Sequence, residues 1–420
     1  MRILVIGSGG REHALAWKLA QEAEVHAAPG NPGIAEDCVV HDIPTTDFPA
    51  LIGLAKGLAV DLVVIGPENP LIEGLADHLR AEGIPTFGPS AESAQLEGSK
   101  AFSKALMQAA NVPTAEFQSF SDSARARAYA RDMFKSGRRV VVKASGTALG
   151  KGVIVCDNSE QAERAIANMI DENEFGNAGS TIVVEERLQG REFSLLTLCS
   201  DDDFYSLPIA QDYKRAQDRD RGPNTGGMGS YSPVPWISGD LVKQAEEEIV
   251  RPILQSMRGC GYRGVLFSGL MVQDGRAYCL EYNVRFGDPE TQAIMMRLGS
   301  GFADALLACA KGEPIPRPDV KDNAAVCVVV ASANYPGPVE KGYVILPPEK
   351  IPEGSKLFHA GTAQKDGDLV TNGGRVFGAT ASGDTLEDAR ERAYELARAV
   401  RFQGAWFRSD IAHLRDAVPV

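Results

Sequence analysis

The sequence predicts a multidomain protein that combines α/β and α+β domains. Its 420 residues correspond to about three domains at roughly 150 residues each. Residues 1–100 alternate short apolar runs with helical stretches, which is typical of a parallel βαβ domain. Later apolar runs pair with helices less regularly, which indicates α+β domains.

Three apolar runs in the amino-terminal part each end in a glycine or polar turn. They are Arg2–Ile6 before Gly7–His13, Glu24–Ala28 before Pro29–Asn31, and Asp61–Ile65 before Gly66–Glu68. Ligands bind at the carboxyl ends of strands in parallel sheets, so we expect these turns to cluster at one binding surface. The helix that begins after the first turn could also hold an anion at its N-terminus.

This first turn fits a dinucleotide-binding fold only in part. Glu12 replaces the third glycine of the G-x-G-x-x-G pattern, and the second run ends in Ala28-Pro29-Gly30 without an acidic residue for a ribose. A nicotinamide-dependent oxidoreductase is therefore a disfavoured alternative.

The middle of the chain contains a glycine hairpin that carries lysines. We predict a helix from Gly98 to about Ala110, strands near 140–144, 152–156 and 181–186, and a helix near 159–170. Gly146, Gly150 and Gly152 would let backbone amides approach phosphates, and Lys143 and Lys151 supply charge. The glycine spacing does not fit a Walker A loop, and Gly152 stands where Ser or Thr is required. A hairpin lid over a nucleotide fits better.

A polar segment from Asp212 to Tyr231 indicates a substrate loop. Lys214 and Arg215 precede the glycine-rich run Gly222–Gly229, which we place between a strand and a helix. Ordering such a run without a ligand is expensive, so a simple connection is the weaker interpretation. Two adjacent cations in a chain of net charge −13 point to a bound anion.

Glu281 and Asn283 form a candidate metal site at the end of a predicted strand. A helix from about Gly239 to Gly259 precedes paired strands, Val265–Val272 and Ala277–Asn283. Alternation places Glu281, Asn283 and Arg285 on one face. Mg²⁺ usually reaches a protein through one or two carboxylates and the phosphates of a nucleotide. The pattern therefore predicts a metal beside a triphosphate.

The last part of the chain follows a proline-rich linker at 311–318. It predicts strands at 324–332, 343–346 and 375–380 and a helix at 385–399. The acidic charge disfavours a nucleic-acid partner. Seven scattered cysteines indicate packed thiols in a reducing compartment. With no long apolar run, we expect a cytoplasmic protein without a membrane segment.

Taken together, these motifs resemble the ATP-grasp ligases, and within them the phosphoribosylamine–glycine ligase (glycinamide ribonucleotide synthetase) family. The resemblance rests on Gly7–His13, Gln95–Lys100, the lysine-bearing hairpin, Gly222–Gly229, Arg285–Gln292 and Asn372–Arg375. It covers essentially the whole chain. It implies a βαβ substrate domain over 1–100, an ATP-grasp domain over 101–320 with a lid subdomain at about 113–188, and an α+β domain over 321–420.

The resemblance also implies roles for individual residues. The ATP-binding residues would be Lys104, Lys143, Gly146, Gly150, Lys151, Gly152, the adenine hinge at Glu185 and Glu186, and the ribose ligand Glu192. The substrate-binding residues would be Gly9, Gly10, Arg11, Glu12, His13, Gly66, Pro67, Glu68, Asp212, Lys214, Asn224, Thr225, Gly226, Gly227, Met228, Arg285 and Asp288. Lys143, Asp212 and Arg285 would serve catalysis, and Glu281 and Asn283 would bind Mg²⁺ or Mn²⁺.

The implied reaction joins glycine to 5-phosphoribosylamine at the expense of ATP, through glycyl phosphate, in purine synthesis. The expected partners are these three small molecules, and the sequence does not reveal self-association. Another ATP-grasp ligase, joining a different carboxylate and amine, is one alternative. A nucleotide-binding regulatory protein without turnover is another, although the joint presence of Lys143, Glu281, Asn283 and Arg285 argues against it.

Four positions depart from the family pattern. Ser145 and Thr147 stand where Asp and Leu are expected, Arg191 where an acidic residue is common, and Tyr213 where His is frequent. Loss of the carboxylate at 145 would reduce repulsion of phosphates or remove a hydrogen bond that orders the loop.

Overall fold

A computed structural model of the chain describes residues 1–146, 152–201 and 203–413. The amino-terminal part forms one parallel sheet in the order β3-β2-β1-β4-β5. Its strands are β1 (Arg2–Gly7), β2 (Glu24–Pro29), β3 (Val39–Val40), β4 (Leu62–Ile65) and β5 (Thr86–Phe87). Its helices are α1 (Gly10–Leu19), α2 (Ile34–Asp37), α3 (Phe48–Gly57), α4 (Glu68–Ile72) and α5 (Leu75–Ala81). The predicted βαβ domain is confirmed.

A small antiparallel sheet follows two connecting helices, α6 (Gln95–Gly98) and α7 (Lys100–Ala109). Its elements are β6 (Phe117–Phe120), α8 (Ser123–Lys135), β7 (Val140–Ala144), β8 (Val153–Cys156), α9 (Ser159–Ile166) and β9 (Ile182–Glu186). A π-helical turn, Ala167–Asp171, extends α9, and a 3₁₀ turn, Gly176–Gly179, precedes β9. The strand order is β6-β9-β7-β8. Apolar side chains from both helices and the sheet form a separate core.

The following segment supplies strands to two different sheets. Its strands are β10 (Arg191–Ser200), β11 (Asp203–Ser206), β12 (Gln211–Asp212), β13 (Arg215–Gln217), β14 (Arg221–Asn224), β15 (Gly229–Ser232), β16 (Arg263–Gln273) and β17 (Arg276–Asn283). Its helices are α10 (Gly239–Ala245), α11 (Arg251–Ser256), α12 (Glu290–Arg297) and α13 (Phe302–Lys311), with a π-helical turn, Glu246–Val250, joining the first two. The central sheet has the order β11-β10-β16-β17.

The carboxy-terminal part contains β18 (Ala324–Ala331), β19 (Ser355–His359), β20 (Thr362–Lys365), β21 (Asp368–Thr371), β22 (Arg375–Gly383) and α14 (Leu386–Ala399). Its main sheet has the order β12-β15-β18-β22-β19. Two of these strands come from residues 211–232, so the chain flanking the glycine-rich run belongs structurally to the carboxy-terminal sheet. The hairpins β13-β14 and β20-β21 stand apart from it.

Several elements differ from the sequence prediction. Residues 343–346 form no strand, and only isolated bridges join Val344 to Val370 and Leu346 to Arg401. Strands β19 to β21 were not predicted, because their sequences mix charged and apolar residues. The helix predicted from Gly98 begins at Lys100, where the Ser99 side chain caps it. Gly222–Gly229 leads into β15 rather than into a helix.

All seven cysteines lie within the described residues and are free thiols. Five of them are buried. Among the described helices, we find none with the length and apolar character needed to cross a bilayer.

Candidate functional site

Two buried lysines share one carboxylate where the small sheet meets the central sheet. The Lys143 Nζ on β7 lies 2.5 Å from Oε1 of Glu185, and the Lys104 Nζ on α7 lies 2.6 Å from Oε2. Burial alone would raise the pKa of Glu185, but the two ammonium groups hold it below its ordinary value. One anion therefore balances two cations before any nucleotide binds.

The same lysines are joined to strand β17. Lys104 donates to Thr114 Oγ1 at 2.7 Å, and that hydroxyl donates to the Cys279 carbonyl at 2.6 Å. Lys143 donates to the Leu280 carbonyl at 3.3 Å. The lysine cluster therefore lies directly beside the residue that follows in β17, Glu281.

The Glu281 and Asn283 side chains share the partly exposed face of β17. Tyr282 between them is buried and donates its hydroxyl to the Ile249 carbonyl at 2.8 Å. Burial tends to raise the pKa of Glu281, but Lys214, Lys143, Lys100 and Arg285 together lower it. Within the described residues, neither side chain has a hydrogen-bond or ion-pair partner. The donor set, an ionised carboxylate and an amide oxygen, fits a hard divalent cation.

No three described His, Cys, Asp or Glu side chains come together as a complete metal site. Lys100, which the sequence analysis did not assign, contributes to the positive charge around Glu281 and donates to the Gly146 carbonyl at 3.4 Å. Its position after the cap Ser99 places it at the start of α7. The motif Gln95–Lys100, which ends at this residue, could have identified Lys100 as a site residue.

Asp212 lies in an acidic environment at the edge of the same region. Burial raises its pKa to about 8, with Lys214 opposing the shift and Glu290, Glu192 and Glu281 adding to it. The Lys214 Nζ lies 2.7 Å from Glu192 Oε2. Glu290 is buried on α12 and accepts a 2.9 Å hydrogen bond from Ser194. This acidic surface would favour a ligand that carries an ammonium group.

Arg285 joins this region to the amino-terminal domain. Its Nη2 lies 3.2 Å from Glu97 Oε1, and its Nε lies 3.6 Å from Glu68 Oε2. Glu97 also accepts the Val284 N–H at 2.8 Å. Glu97 was missed as a site residue, although it belongs to the quoted Gln95–Lys100 motif.

The amino-terminal turns are built around Glu12. Its carboxylate accepts the Gly9 N–H at 2.6 Å and pairs with Arg11 Nε at 2.5 Å. A Cβ at Gly66 would overlap this side chain, so Gly66 packs against Glu12, and Pro67 lies beside Gly7. Arg11 also donates to the Phe286 carbonyl at 3.1 Å. Glu12 therefore shapes the turn from inside rather than facing a ligand.

A cavity of about 350 Å³ lies between the amino- and carboxy-terminal domains. The residues that line it are Ser8, Gly9, Gly10, Gly30, Asp288, Ala360, Gly361, Thr362, Asn372 and Arg375. The predicted residues Gly9, Gly10 and Asp288 are brought together here. The carboxy-terminal wall was not predicted, although Asn372–Arg375 had been noted as a motif.

The glycine-rich run reaches this cavity through Arg375. That guanidinium donates to the carbonyls of Gly226 at 2.6 Å and Asp288 at 2.8 Å. Thr225 bonds to the Lys214 carbonyl through its hydroxyl at 2.9 Å. Met228 is fully buried, so its side chain packs in the core. Asn224 ends β14, opposite Arg215.

His13 lies outside this cavity lining. It is fully buried, with Nε2 2.9 Å from Asp37 Oδ2, and its Nδ1 accepts the His359 N–H at 2.7 Å. The imidazole is therefore engaged on both nitrogens by protein groups.

Three of the unusual residues have identifiable contacts. The Ser145 hydroxyl accepts the Ala101 N–H at 3.0 Å, so a loop-ordering hydrogen bond is present. The Tyr213 hydroxyl accepts the Ala412 N–H at 2.9 Å. Arg191 lies over the Trp236 ring, with 4.1 Å between the guanidinium carbon and the ring centroid. Thr147 lies outside the described residues.

The predicted phosphate flap is only partly described. Gly146 donates its N–H to the Ala178 carbonyl at 3.0 Å, and Gly152 accepts the Ala144 N–H at 2.8 Å. Gly150 and Lys151 lie outside the described residues. Glu186 ends β9, where its N–H bonds to the Glu116 carbonyl at 2.8 Å.

Family models for phosphoribosylglycinamide synthetase match three consecutive parts of the chain. The N domain matches residues 1–97, the ATP-grasp (A) domain residues 98–291, and the C domain residues 325–414. Curated relatives include the phosphoribosylamine–glycine ligases of Rhizobium meliloti, 45% identical over 98% of both chains, and Brucella melitensis, 46% identical over 98% of this chain and 97% of that one.

Solved structures agree in fold. A phosphoribosylamine–glycine ligase from Thermotoga maritima has a TM-score of 0.86 at 38% identity and covers 98% of this chain and 100% of its own. The biotin carboxylase domain of Hydrogenobacter thermophilus 2-oxoglutarate carboxylase, solved with magnesium ADP, has a TM-score of 0.73 at 17% identity. It covers 96% of this chain and 91% of its own, and it shows the fold alone.

Proposed function

The chain belongs to the phosphoribosylglycinamide synthetase family, and from that premise we propose which residues carry its reaction. The enzyme is an ATP-grasp carboxylate–amine ligase of purine synthesis that joins glycine to 5-phosphoribosylamine. Its products are glycinamide ribonucleotide, ADP and phosphate. Membership of this family makes the protein a ligase and excludes the nicotinamide-dependent oxidoreductase that was considered as an alternative.

The chemistry needs an activated carboxylate, because the glycine carboxylate is a poor electrophile. Its oxygen attacks the γ-phosphorus of ATP, and the bond to the ADP oxygen breaks to give glycyl phosphate. The amine of phosphoribosylamine then attacks the acyl carbon, phosphate leaves, and the amine loses a proton. No protein nucleophile is required, so the protein acts mainly by positioning and by neutralising charge.

For ATP, the proposal assigns the triphosphate to the lysine cluster. Phosphate oxygens would replace Glu185 as partners of Lys104 and Lys143. Lys143 is already bonded to β17 directly, and Lys104 is bonded to it through Thr114. Glu186 and the end of β9 would meet adenine, and Glu192 the ribose. Gly146, Gly150, Lys151 and Gly152 would close over the phosphates and exclude water from the acyl phosphate.

For the metal, the proposal assigns Glu281 and Asn283. Their unpartnered oxygens face the same surface as the lysine cluster, and a divalent ion would also be coordinated by phosphate oxygens and water. Bound there, Mg²⁺ or Mn²⁺ would neutralise charge on the transferring phosphoryl group. The lowered pKa of Glu281 keeps its carboxylate ionised for this role.

For the substrates, the proposal divides the remaining site in two. Asp212 and Glu290 would face the ammonium of glycine, while Arg285 would meet its carboxylate and the phosphoryl oxygens. The 350 Å³ cavity would receive the ribose phosphate of phosphoribosylamine, against Arg375 and the turn Ser8–Gly10. Arg285 and Asp288 stand in one short turn, so the two halves adjoin.

We propose that different domains bind different substrates. Residues 1–100 and 321–420 would bind the ribose phosphate, and residues 101–320 would bind ATP, with a lid at about 113–188. We also propose a cytoplasmic location and small-molecule partners only, without nucleic acid or membrane.

The observation that carries the proposal is the Lys104–Glu185–Lys143 cluster beside Glu281. The test is ADP release with glycine and 5-phosphoribosylamine supplied together and singly, the latter formed in the assay from ribose 5-phosphate and ammonia. We expect full release only when both are present. Equal release without glycine, or release only with another amino acid, would instead support a ligase for a different carboxylate.

A further inference from the structure

His13 and Asn31 connect the amino-terminal domain to the far wall of the substrate cavity. His13 lies on α1, immediately after the turn Ser8–Gly10, and it accepts the His359 N–H at 2.7 Å. Asn31 follows β2 and donates to the Ser8 carbonyl at 2.8 Å and the His359 carbonyl at 3.0 Å. Both peptide groups of His359 are therefore bonded to the amino-terminal domain.

His359 in turn leads directly into the cavity wall. Its Nδ1 lies 3.1 Å from Thr362 Oγ1, and Ala360, Gly361 and Thr362 line the cavity. His13 and His359 are tightly packed against Gly33, since a Cβ at Gly33 would overlap both imidazole rings. A change in the His13 contact would therefore move the wall rather than be absorbed locally.

The hydrogen bonds also define the protonation state of His13. Because Nδ1 accepts an N–H, it carries no proton, and the proton on Nε2 is donated to Asp37. Asp37 is held on its other oxygen by Lys356 at 2.9 Å. His13 thus makes two different bonds: Nδ1 bonds to His359, which leads into the cavity wall, and Nε2 bonds to Asp37, which does not line the cavity.

We propose that His13 is a positioning residue for the ribose phosphate substrate, and that it acts through its Nδ1 bond to His359 rather than by touching the ligand. The inference rests on the proposed function, which places this substrate in the cavity. It replaces the direct binding role that the family resemblance implied for His13.

Two substitutions separate the two bonds. His13→Asn keeps an acceptor near the position of Nδ1, whereas His13→Gln keeps a donor toward Asp37 and leaves the His359 N–H unpaired. Leaving that buried donor unpaired costs about 1 to 3 kcal/mol, or roughly 5- to 150-fold in affinity. We expect His13→Gln to raise KM for phosphoribosylamine in that range and His13→Asn to stay near the wild type. KM for ATP and glycine should not change in either variant.

Ribose 5-phosphate binding, measured by calorimetry, is a second readout that does not depend on turnover. It should weaken in His13→Gln and be retained in His13→Asn. The matched control is His78→Gln, because His78 lies on α5 and, among the residues that the structure describes, bonds only to the Gly74 carbonyl of its own domain, at 2.8 Å. If His13→Gln does not fold, Asn31→Asp removes the second bond to His359 together with the bond to the Ser8 carbonyl, while keeping the acceptor for the Ile34 N–H. The same KM pattern is expected.

The proposal is overturned if His13→Gln leaves ribose 5-phosphate binding unchanged, if His13→Asn weakens it equally, or if KM rises alike for all three substrates. Failure of the wild type to release ADP with glycine and phosphoribosylamine would reject the proposed function instead. The calorimetric comparison would still decide the role of His13 in that case.

Discussion

The Lys143 ammonium lies 2.5 Å from the Glu185 carboxylate, in a site where both side chains are almost completely buried. Lys104 occupies the other oxygen of the same carboxylate. A single buried anion thus holds two cations that would otherwise repel each other. The phosphates of ATP would take over this task when they bind.

The first prediction concerns Glu185→Gln. Removing the anion leaves two buried ammonium groups uncompensated, so the free energy of unfolding should fall by about 3 to 5 kcal/mol. Because phosphates can supply the missing charge, the loss should shrink when ATP is present. Urea unfolding with and without ATP measures both effects. Glu174→Gln, on the exposed surface, should change stability by no more than about 0.5 kcal/mol. An equal loss in Glu185→Gln with and without ATP would contradict the phosphate assignment.

The second prediction concerns the metal. Glu281→Gln removes the only charged oxygen of the proposed pair, so the Mg²⁺ concentration for half-maximal ADP release should rise by at least about tenfold, as even outer-shell partners are worth 10- to 100-fold. Glu172→Gln, on the exposed surface, is the control. An unchanged magnesium titration would remove Glu281 from the metal site.

The third prediction concerns pH and Asp212. Its pKa is raised from 3.8 to about 8 by burial, so between these values the folded protein holds a proton that the unfolded chain releases. Stability from this group is complete below pH 4 and is lost as pH rises toward 8. Asp212→Asn should therefore flatten the pH dependence of the free energy of unfolding and be more stable than the wild type at pH 8. Its ligase activity should fall, because an amide cannot ionise to pair with the ammonium of glycine.

Urea unfolding at pH 5, 6, 7 and 8, with ADP release on the same samples, checks the Asp212 prediction. A variant that kept the wild-type slope of stability against pH would show that Asp212 is ionised in the folded protein. One that kept full activity would exclude it from the substrate site.

The fourth prediction concerns Arg408, whose side chain is fully buried. It pairs with Asp410 at 2.8 Å and Asp220 at 3.0 Å and donates to the Arg215 carbonyl at 2.9 Å. These contacts attach hairpin β13-β14, and with it the run Gly222–Gly229, to the carboxy-terminal domain. Arg408→Met should raise KM for phosphoribosylamine by about 5- to 30-fold, the effect of roughly 1 to 2 kcal/mol.

Steady-state kinetics with each substrate varied in turn measures the Arg408 effect. Arg392→Met is the control, because among the described residues the exposed Arg392 bonds only to the Ser382 carbonyl of the same domain. Equal kinetic changes in both variants would show that the loop position does not depend on Arg408.

The sequence predicted the strands whose apolar runs end at glycine or polar turns. Strands β1, β2 and β4 and the hairpin around Lys143 are of this kind, since burial on both faces requires continuous apolar residues. Residues 343–346 are equally apolar, yet Val344 and Leu346 are exposed, and no strand in the described part of the chain pairs with them continuously. Whether residues 343–346 form a strand therefore depends on pairing with another strand, which the local sequence pattern does not reveal.

Some residues of the candidate site could be predicted from local motifs, whereas contacts between distant parts of the chain could not. Local motifs predicted Lys143, Glu281 and the turns near Gly9, because each motif lies within a short stretch of chain. Nothing near His13 in the sequence indicates that its partner is His359, and nothing near Gly226 indicates Arg375. These contacts depend on how the first and last domains meet.

The cavity is lined by Ser8 and Arg375, which are far apart in the sequence, so it can form only after both have been synthesised. A nascent chain acquires the amino-terminal turn first and the lysine cluster and Glu281 next, while Arg375 leaves the ribosome later than all of them. Until then, there is no wall opposite Ser8, where we propose that the second substrate binds. A polypeptide that stops before Arg375 would contain the residues proposed to bind ATP but would lack a binding place for the amine that must capture the activated glycine.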